Sequence, residues 1–218
     1  MSYRGWKYFL KGDFKAAISD ITKAYEGLFE MNALLSSASC LLQKSIILWK
    51  ENRLSAAYSC ASRAIEMFRD QSDHIGELAE AHSYRALISA SKGDIERAGA
   101  DIRMCKSLME KNRPQDVMDV INLTEGLILE KNGEMEKAIS RWMKSERPFV
   151  ANPLIMFEIK EKIATALMNS GEIGKGVQLL KELGQTCSEH GLGLCVNEVA
   201  RKLEIVGGFK LSTVYRQN

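Results

Sequence analysis

The sequence has little proline and no long apolar run. Only three prolines occur in 218 residues, and β-branched residues rarely follow one another. Because proline and runs of β-branched residues disfavour helices, their scarcity predicts an all-α protein. No stretch approaches the roughly 20 apolar residues that span a bilayer, and the N-terminal segment has no apolar signal core. We therefore expect no membrane association and a cytoplasmic location.

The sequence also lacks an excess of charge of one sign. The 30 basic and 28 acidic side chains give a formal net charge of +2, and no block of like charge stands out. Phosphate binding requires a concentrated basic face. Nucleic acid is therefore not an expected partner.

Cysteine and histidine are few and scattered. The five cysteines lie within helical patterns, where small apolar residues would also fit, so we expect reduced thiols in the core. The segment CSEHGLGLC places Cys187, His190 and Cys195 like three soft metal ligands, but a structural zinc site normally needs a fourth, and Gly191 also suits a helix end. The three histidines match no nucleophilic arrangement. We expect no metal, no cofactor and no enzymatic activity.

Related heptapeptides recur five times at nearly even spacing. They are KGDFKAA at 11–17, ENRLSAA at 51–57, KGDIERA at 92–98, NGEMEKA at 132–138 and SGEIGKG at 170–176. Their turn residues, Gly12, Asn52, Gly93, Gly133 and Gly171, lie 40, 41, 40 and 38 residues apart. This regularity indicates a repeat protein.

Each position of the heptapeptide has a physical reason. Glycine or asparagine suits a helix end in the left-handed conformation, and the acid that follows in four copies favours the start of the next helix. A small residue stands five places after each turn, and another stands seven places before it, so the two helices of each hairpin can approach closely. These small residues are Gly5, Ala17, Ser45, Ala57, Ala86, Ala98, Gly126, Ala138, Ala164 and Gly176.

This pattern resembles the tetratricopeptide repeat family. The resemblance implies a right-handed α-solenoid of five helix-turn-helix repeats over about residues 1–190, in a single domain of residues 1–206 with a tail at 207–218. The period of about 40 exceeds the usual 34, as in the longer repeats of kinesin light chains and of sensor domains in large bacterial transcription activators. We expect helices near 1–11, 14–31, 33–50, 54–71, 74–91, 95–111, 115–131, 135–146, 153–169 and 173–189, and a capping helix near 193–206.

In such stacks the first helix of each repeat lines a concave wall, which is the implied recognition surface. The positions ten, nine, six and three places before each turn then face inward. From them we predict a partner-binding groove of Tyr3, Trp6, Phe9, Leu42, Gln43, Ile46, Trp49, Tyr84 and Leu87. The corresponding positions of the fourth and fifth repeats, among them Leu123, Leu127, Glu130 and Lys162, form a more polar continuation.

The expected function is a non-enzymatic adaptor or scaffold that binds a peptide or protein segment in this groove. A homodimer through the exposed first repeat is a further expectation. An alternative is a regulatory sensor that binds a small ligand or signalling peptide for an attached effector, such as a transcription regulator. Aromatic side chains at helical spacing are also what a core requires, so Trp6 and Trp49 fit either a core or a ligand contact equally well.

Overall fold

The chain forms helices that follow one another with short turns. The computed structural model describes residues 3–69, 73–109, 114–145, 149 and 152–207, and within these ranges it contains eleven α-helices and no strand. The helices are α1 (Tyr3–Leu10), α2 (Phe14–Glu30), α3 (Leu34–Lys50), α4 (Leu54–Arg69), α5 (Ile75–Lys92), α6 (Ile95–Leu108), α7 (Gln115–Lys131), α8 (Met135–Trp142), α9 (Pro153–Asn169), α10 (Ile173–Glu189) and α11 (Gly193–Gly207). The predicted all-α class is confirmed.

Most helix boundaries agree with the prediction to within a few residues, and α8 is the exception. It ends at Trp142, although a helix to residue 146 was expected. Beyond this point the backbone N–H of Lys144 donates to Arg141, and that of Ser145 donates to Trp142, so the chain turns instead of continuing. The Ser145 hydroxyl is buried there and accepts a hydrogen bond from Asn122 Nδ2 at 3.0 Å. The chain therefore leaves the helix after Trp142 and places Ser145 in a buried contact with α7.

All five predicted turn residues adopt the left-handed conformation. Their φ angles are 88° at Gly12, 61° at Asn52, 90° at Gly93, 80° at Gly133 and 92° at Gly171. Outside these five turns, Asn32 and Gly191 also have positive φ, at 55° and 67°. The turn at Asn32, between the first two predicted repeats, and the turn at Gly191, before the capping helix, therefore have the same left-handed backbone conformation.

The acids after the turns divide into two groups. Asp13 accepts a hydrogen bond from the backbone N–H of Ala16 at 2.9 Å, and Asp94 accepts one from Arg97 at 3.1 Å. Glu134 and Glu172 make no such bond as N-caps. The aspartates therefore cap their helices directly, whereas the glutamates place a charge at the positive end of the helix and pair with Lys137 and Lys175 one turn later.

The small residues predicted at the helix crossings are buried. The five on the second helices, Ala17, Ala57, Ala98, Ala138 and Gly176, are all buried. At Gly176 a Cβ atom would stand 2.6 Å from the main-chain oxygen of Ala164, which is the small residue of the facing helix. The predicted close approach is therefore present in the α9–α10 hairpin, and it leaves no room for a side chain.

The helices pack in consecutive pairs, from α1 with α2 to α9 with α10, and α11 packs on α10. Neighbouring pairs contact one another, and a continuous set of buried apolar residues extends from Phe9 in α1 to Leu203 in α11. A second buried cluster joins α5, α6 and α7. Each pair therefore buries apolar surface that it could not bury alone, as in repeat proteins.

The first and last helices also contact each other. Gly193 at the start of α11 lies against Lys11, and a Cβ atom on Gly12 would stand 3.9 Å from Leu194. The predicted capping helix therefore packs on α10 and also contacts α1. The predicted tail lies outside the described residues from position 208 onward.

Candidate functional site

The nine residues predicted for the groove are mostly buried. Phe9, Leu42, Gln43, Ile46, Tyr84 and Leu87 are almost inaccessible, and Trp49 is 9% exposed. Trp6 is half-buried, with its ring centroid 4.9 Å from that of Phe9, whereas Tyr3 is 71% exposed. These positions thus contribute mainly to contacts between helices, and they do not form one open apolar groove.

Two of the residues in this set are buried polar side chains. Burial raises the pKa of Tyr84, and the nearby carboxylate of Glu80 acts in the same direction. The buried Gln43 Oε1 has no hydrogen-bond partner among the described residues. Both side chains are thus enclosed within the protein and are not open to a ligand.

A cleft opens where the C-terminal ends of α3, α5 and α7 face α9. Its volume is about 330 Å³. The residues that line it, which together define the inner cleft, are Trp49, Lys50, Asn52, Leu54, Ser91, Leu123, Leu127, Glu130, Lys131, Glu158 and Lys162. Trp49 is held in place because its Nε1 donates a hydrogen bond to Ser91 Oγ at 3.0 Å. Apolar and charged side chains therefore share one concave surface.

Lys50 is the most deeply placed charge of the inner cleft. Its side chain is 7% exposed, and its ammonium donates to Glu158 in α9 and, at 3.0 Å, to Glu198 in α11. The same ammonium lies 5.5 Å from the ring centroid of Phe157 and 5.7 Å from that of Trp49. A single lysine therefore joins α3 to two helices that follow it by more than 100 residues.

The electrostatics of this cluster favour a charged lysine. Burial alone would lower the pKa of Lys50, but the carboxylates of Glu158 and Glu198 outweigh it and hold the pKa above its usual value. Burial raises the pKa of Glu198, although Lys50 opposes this effect. Burial determines the direction of the pKa shift for Glu198 but not for Lys50. The ammonium of Lys50 has two carboxylate partners, whereas Glu198 shares that one ammonium with Glu158.

Further ion pairs surround Lys50. Lys162 in α9 donates to Glu130 in α7 at 2.8 Å, and Lys202 in α11 pairs with Glu161 in α9. At the mouth, the exposed Lys131 donates to the main-chain oxygen of Ser91 at 3.3 Å. The charged groups of the inner cleft are thus held in fixed positions by one another before any ligand arrives.

A second buried polar group lies away from the inner cleft. Asp101 accepts hydrogen bonds from His82 Nδ1 at 2.7 Å and from Arg85 at 2.7 and 2.8 Å. Burial would raise the pKa of Asp101, but these two donors outweigh it and hold the pKa below its usual range. Arg85 also donates to Ser62 Oγ in α4 at 3.2 Å. The group therefore links α4, α5 and α6, and it gives His82 a structural partner.

The cysteines and His190, which the sequence offered as possible metal ligands, do not form a metal site among the described residues. His190 stacks on Phe149, with ring centroids 5.9 Å apart. All five cysteines are free thiols. Among the described residues, no three His, Cys, Asp or Glu side chains lie close enough together to hold a metal ion. In the same residues, no helix combines the length and the apolar character that crossing a membrane requires.

Sequence reasoning found part of the inner cleft. Of the nine predicted groove residues, Trp49 lines it, and so do Leu123, Leu127, Glu130 and Lys162 from the predicted polar continuation. It missed Lys50 and Glu158, and also Glu198, which pairs with Lys50 from outside the lining, because nothing in the local sequence connects a lysine at a helix end with glutamates in α9 and α11. Comparison with known protein families and with curated proteins finds no match for this sequence.

Proposed function

We propose that the chain is a non-enzymatic interaction module of the cytoplasm, built as a right-handed solenoid of five tetratricopeptide-like repeats. It binds a short segment of a partner protein, and the inner cleft receives one large apolar side chain of that segment together with its polar neighbours. The observation that carries this proposal is the inner cleft, which has a volume of about 330 Å³ and in which Trp49 lies beside paired charges.

The composition of the inner cleft suits a peptide. Trp49 and Leu127 provide the apolar edge of the inner cleft, with 9% and 8% of their surface exposed, and tryptophan is enriched among residues that dominate binding energy. The Lys162–Glu130 pair at its edge presents both a donor and an acceptor for the polar groups of a peptide backbone. Because these charges are already paired, a ligand would meet positioned groups and would not have to order them.

The burial of most predicted groove residues limits the size of the segment that the protein can bind. An amphipathic helix would need a long open groove, whereas Leu42, Ile46 and Leu87 are occupied by contacts within the protein. A cleft of about 330 Å³ instead fits one or two side chains. We therefore place the partner segment across the inner cleft, with a single anchoring residue inserted.

The test is selection of short peptides on the immobilised full chain, followed by calorimetric titration of the selected sequences. The double variant Glu130→Ala/Lys162→Ala removes one ion pair of the inner cleft without changing the net charge. We expect it to weaken binding by about tenfold or more, because central interface contacts typically contribute over 1 kcal/mol. Trp49→Phe should weaken binding as well.

The matched control is Glu134→Ala/Lys137→Ala, which removes an exposed ion pair of α8 that lies outside the inner cleft. It should bind the selected peptides like the unmodified chain. Far-ultraviolet circular dichroism establishes that each variant is folded. Equal affinity of the unmodified chain, Trp49→Phe and the inner-cleft double variant would disprove the assignment of the site.

A second candidate is a sensor that binds a small ligand for an attached effector. The volume of the inner cleft favours it, because small-molecule sites begin at about 300 Å³. The same titrations separate the two functions. A small molecule that binds through Trp49, in a chain that selects no peptide, would support the sensor and contradict the peptide module.

A further inference from the structure

Lys131 is the one ammonium group in the lining of the inner cleft that has no carboxylate partner among the described residues. The lining contains three lysines and two glutamates, and Lys50 and Lys162 engage the two glutamates. The ammonium of Lys131 instead donates to a neutral group, the main-chain oxygen of Ser91, at 3.3 Å. The mouth of the inner cleft therefore presents a positive charge that no side chain of the lining neutralises.

The acids beside Lys131 are already engaged by other cations. Glu134 lies three residues later in the chain, and Asp94 follows Gly93, where a Cβ atom would stand 3.6 Å from the Lys131 ammonium. The pairs are Glu130 with Lys162, Glu134 with Lys137 and Asp94 with Arg97. A carboxylate that approaches Lys131 from outside therefore does not have to displace an acid of the protein.

Ser91 places this charge beside the aromatic edge of the inner cleft. Its hydroxyl oxygen accepts a hydrogen bond from Trp49 Nε1 at 3.0 Å, and its main-chain oxygen accepts the bond from Lys131. The indole and the ammonium are thus bonded to two atoms of the same residue. A side chain that lies against Trp49 and a carboxylate that reaches Lys131 can therefore belong to neighbouring residues of one short segment.

We propose that the partner segment carries an aspartate or glutamate next to its apolar anchor, and that this carboxylate pairs with Lys131. The inference rests on the function proposed above and specifies the chemistry of the segment that the inner cleft binds. An ammonium group has three N–H donors, so Lys131 can keep its bond to Ser91 while it binds a carboxylate. The carboxylate adds an attraction between opposite charges that the neutral carbonyl does not provide.

The exposure of Lys131 determines what this pair does. Lys131 lies in the last turn of α7, and its side chain is open to solvent. Water and salt weaken an ion pair at such a position, so the pair acts more on the choice of segment and on the association rate than on affinity. The sign of the charge at position 131 should therefore determine which sign of charge the ligand carries beside its anchor.

The experiment selects short peptides from a random phage-displayed library on the immobilised full chain and, in parallel, on Lys131→Glu. The unmodified chain should enrich an acid next to an aromatic or large aliphatic residue, whereas Lys131→Glu should enrich lysine or arginine there. Calorimetric titration of a selected acidic peptide should show binding to Lys131→Glu that is weaker by about tenfold, because an attraction becomes a repulsion. The same peptide with lysine in place of its acid should show the opposite preference.

The matched control is Lys15→Glu. It makes the same change of charge at an exposed position of α2, and none of the residues that line the inner cleft lies in α2. It should bind both peptides like the unmodified chain. Lys131→Gln is a second variant, which should lose the preference for the acid without gaining one for lysine, and far-ultraviolet circular dichroism establishes that each variant is folded.

The outcomes separate this inference from the proposed function. Selected peptides that bind through Trp49 but show no enrichment of an acid would overturn the inference and leave the function in place. A preference for acidic peptides that persists in both Lys131→Glu and Lys131→Gln would do the same. If the unmodified chain selected no peptide at all, the proposed function and this inference would both be wrong.

Discussion

The indole of Trp142 in α8 occupies the space beside Gly126 in α7. A Cβ atom on Gly126 would overlap three atoms of the indole ring. Trp142 is fully buried, and its Nε1 donates a hydrogen bond to the main-chain oxygen of Leu123 at 3.2 Å. The absence of a side chain at position 126 therefore makes room for a tryptophan, the largest of the fully buried side chains among the described residues.

Gly126→Ala should destabilise the protein by about 2 kcal/mol or more, because the indole cannot move without losing its hydrogen bond and its packing. The measurement is urea denaturation. Gly27→Ala is the matched control, since Gly27 also lies inside a helix but a Cβ there would meet nothing within 4 Å. This control should be neutral, or stabilising by up to about 1 kcal/mol. A variant at position 126 as stable as the unmodified chain would show that α8 can shift.

Substitutions at Gly133 and Asn52 measure the cost of the left-handed backbone conformation separately from the cost of side-chain packing. Gly133 has φ of 80°, and a Cβ there would meet nothing within 4 Å. Gly133→Ala should therefore cost about 1–2 kcal/mol from the left-handed conformation alone. Asn52, at φ of 61°, should respond in the opposite direction, with Asn52→Gly neutral or slightly stabilising. Thermal denaturation of the two variants measures both effects, and equal shifts of the same sign would contradict this explanation.

Lys50→Met should destabilise the protein by about 3–5 kcal/mol near neutral pH, because it leaves Glu158 and Glu198 without their buried partner. The loss should be smaller at pH 5 than at pH 8. Without the ammonium, the already raised pKa of Glu198 rises further in the folded state. The folded state then binds more protons than the unfolded state, so stability falls as pH increases above about 4.3.

Urea denaturation at several pH values measures this dependence. Lys137→Met is the control, because Lys137 pairs with Glu134 on the exposed surface, and we expect no measurable change in its stability. A pH-independent loss in Lys50→Met would indicate that the methylene chain of Lys50, and not its charge, provides the stability.

Asp101 should make the protein sensitive to acid. Its pKa is lowered in the folded state, so the unfolded state binds more protons and stability rises with pH through this range. The contribution of Asp101 is complete above the unfolded pKa of about 3.9 and is lost as pH falls through the lower folded value. Asp101→Asn should cost about 2–3 kcal/mol at pH 7 and progressively less below pH 5.

The control for Asp101 is Ser62→Ala. It removes the hydrogen bond from Arg85 without removing a group that titrates in this range. Its effect on stability should therefore be small and equal at pH 3 and pH 7. If Asp101→Asn also showed a constant loss across this range, the ion pair with Arg85 would not be the source of the acid sensitivity.

Local signals accounted for most of the fold. The five left-handed residues predicted from the heptapeptides, from Gly12 to Gly171, all have positive φ. The shorter α8 was missed because Ser145, just beyond its end, is buried against Asn122 of α7 and is not part of the helix. A boundary that is set by a contact outside the helix leaves no signal in the helix itself.

The candidate site was predicted less well, for a related reason. Helical spacing identifies residues that share a face, but it does not distinguish a face open to a ligand from one covered by a neighbouring helix. Leu42, Ile46 and Leu87 were predicted to line the groove, but their side chains are buried within the protein. Trp49, near the end of α3, lines the inner cleft although it is itself only 9% exposed.

The sequence by itself determined the helices, the turns between them and the places where paired helices cross. These features depend on backbone preferences and side-chain size within a few residues of each turn. Only the tertiary structure decided that Lys50 meets Glu158 and Glu198, and that α1 contacts α11. Such contacts depend on how small rotations between successive helix pairs add up along the whole chain, and no single repeat encodes that sum.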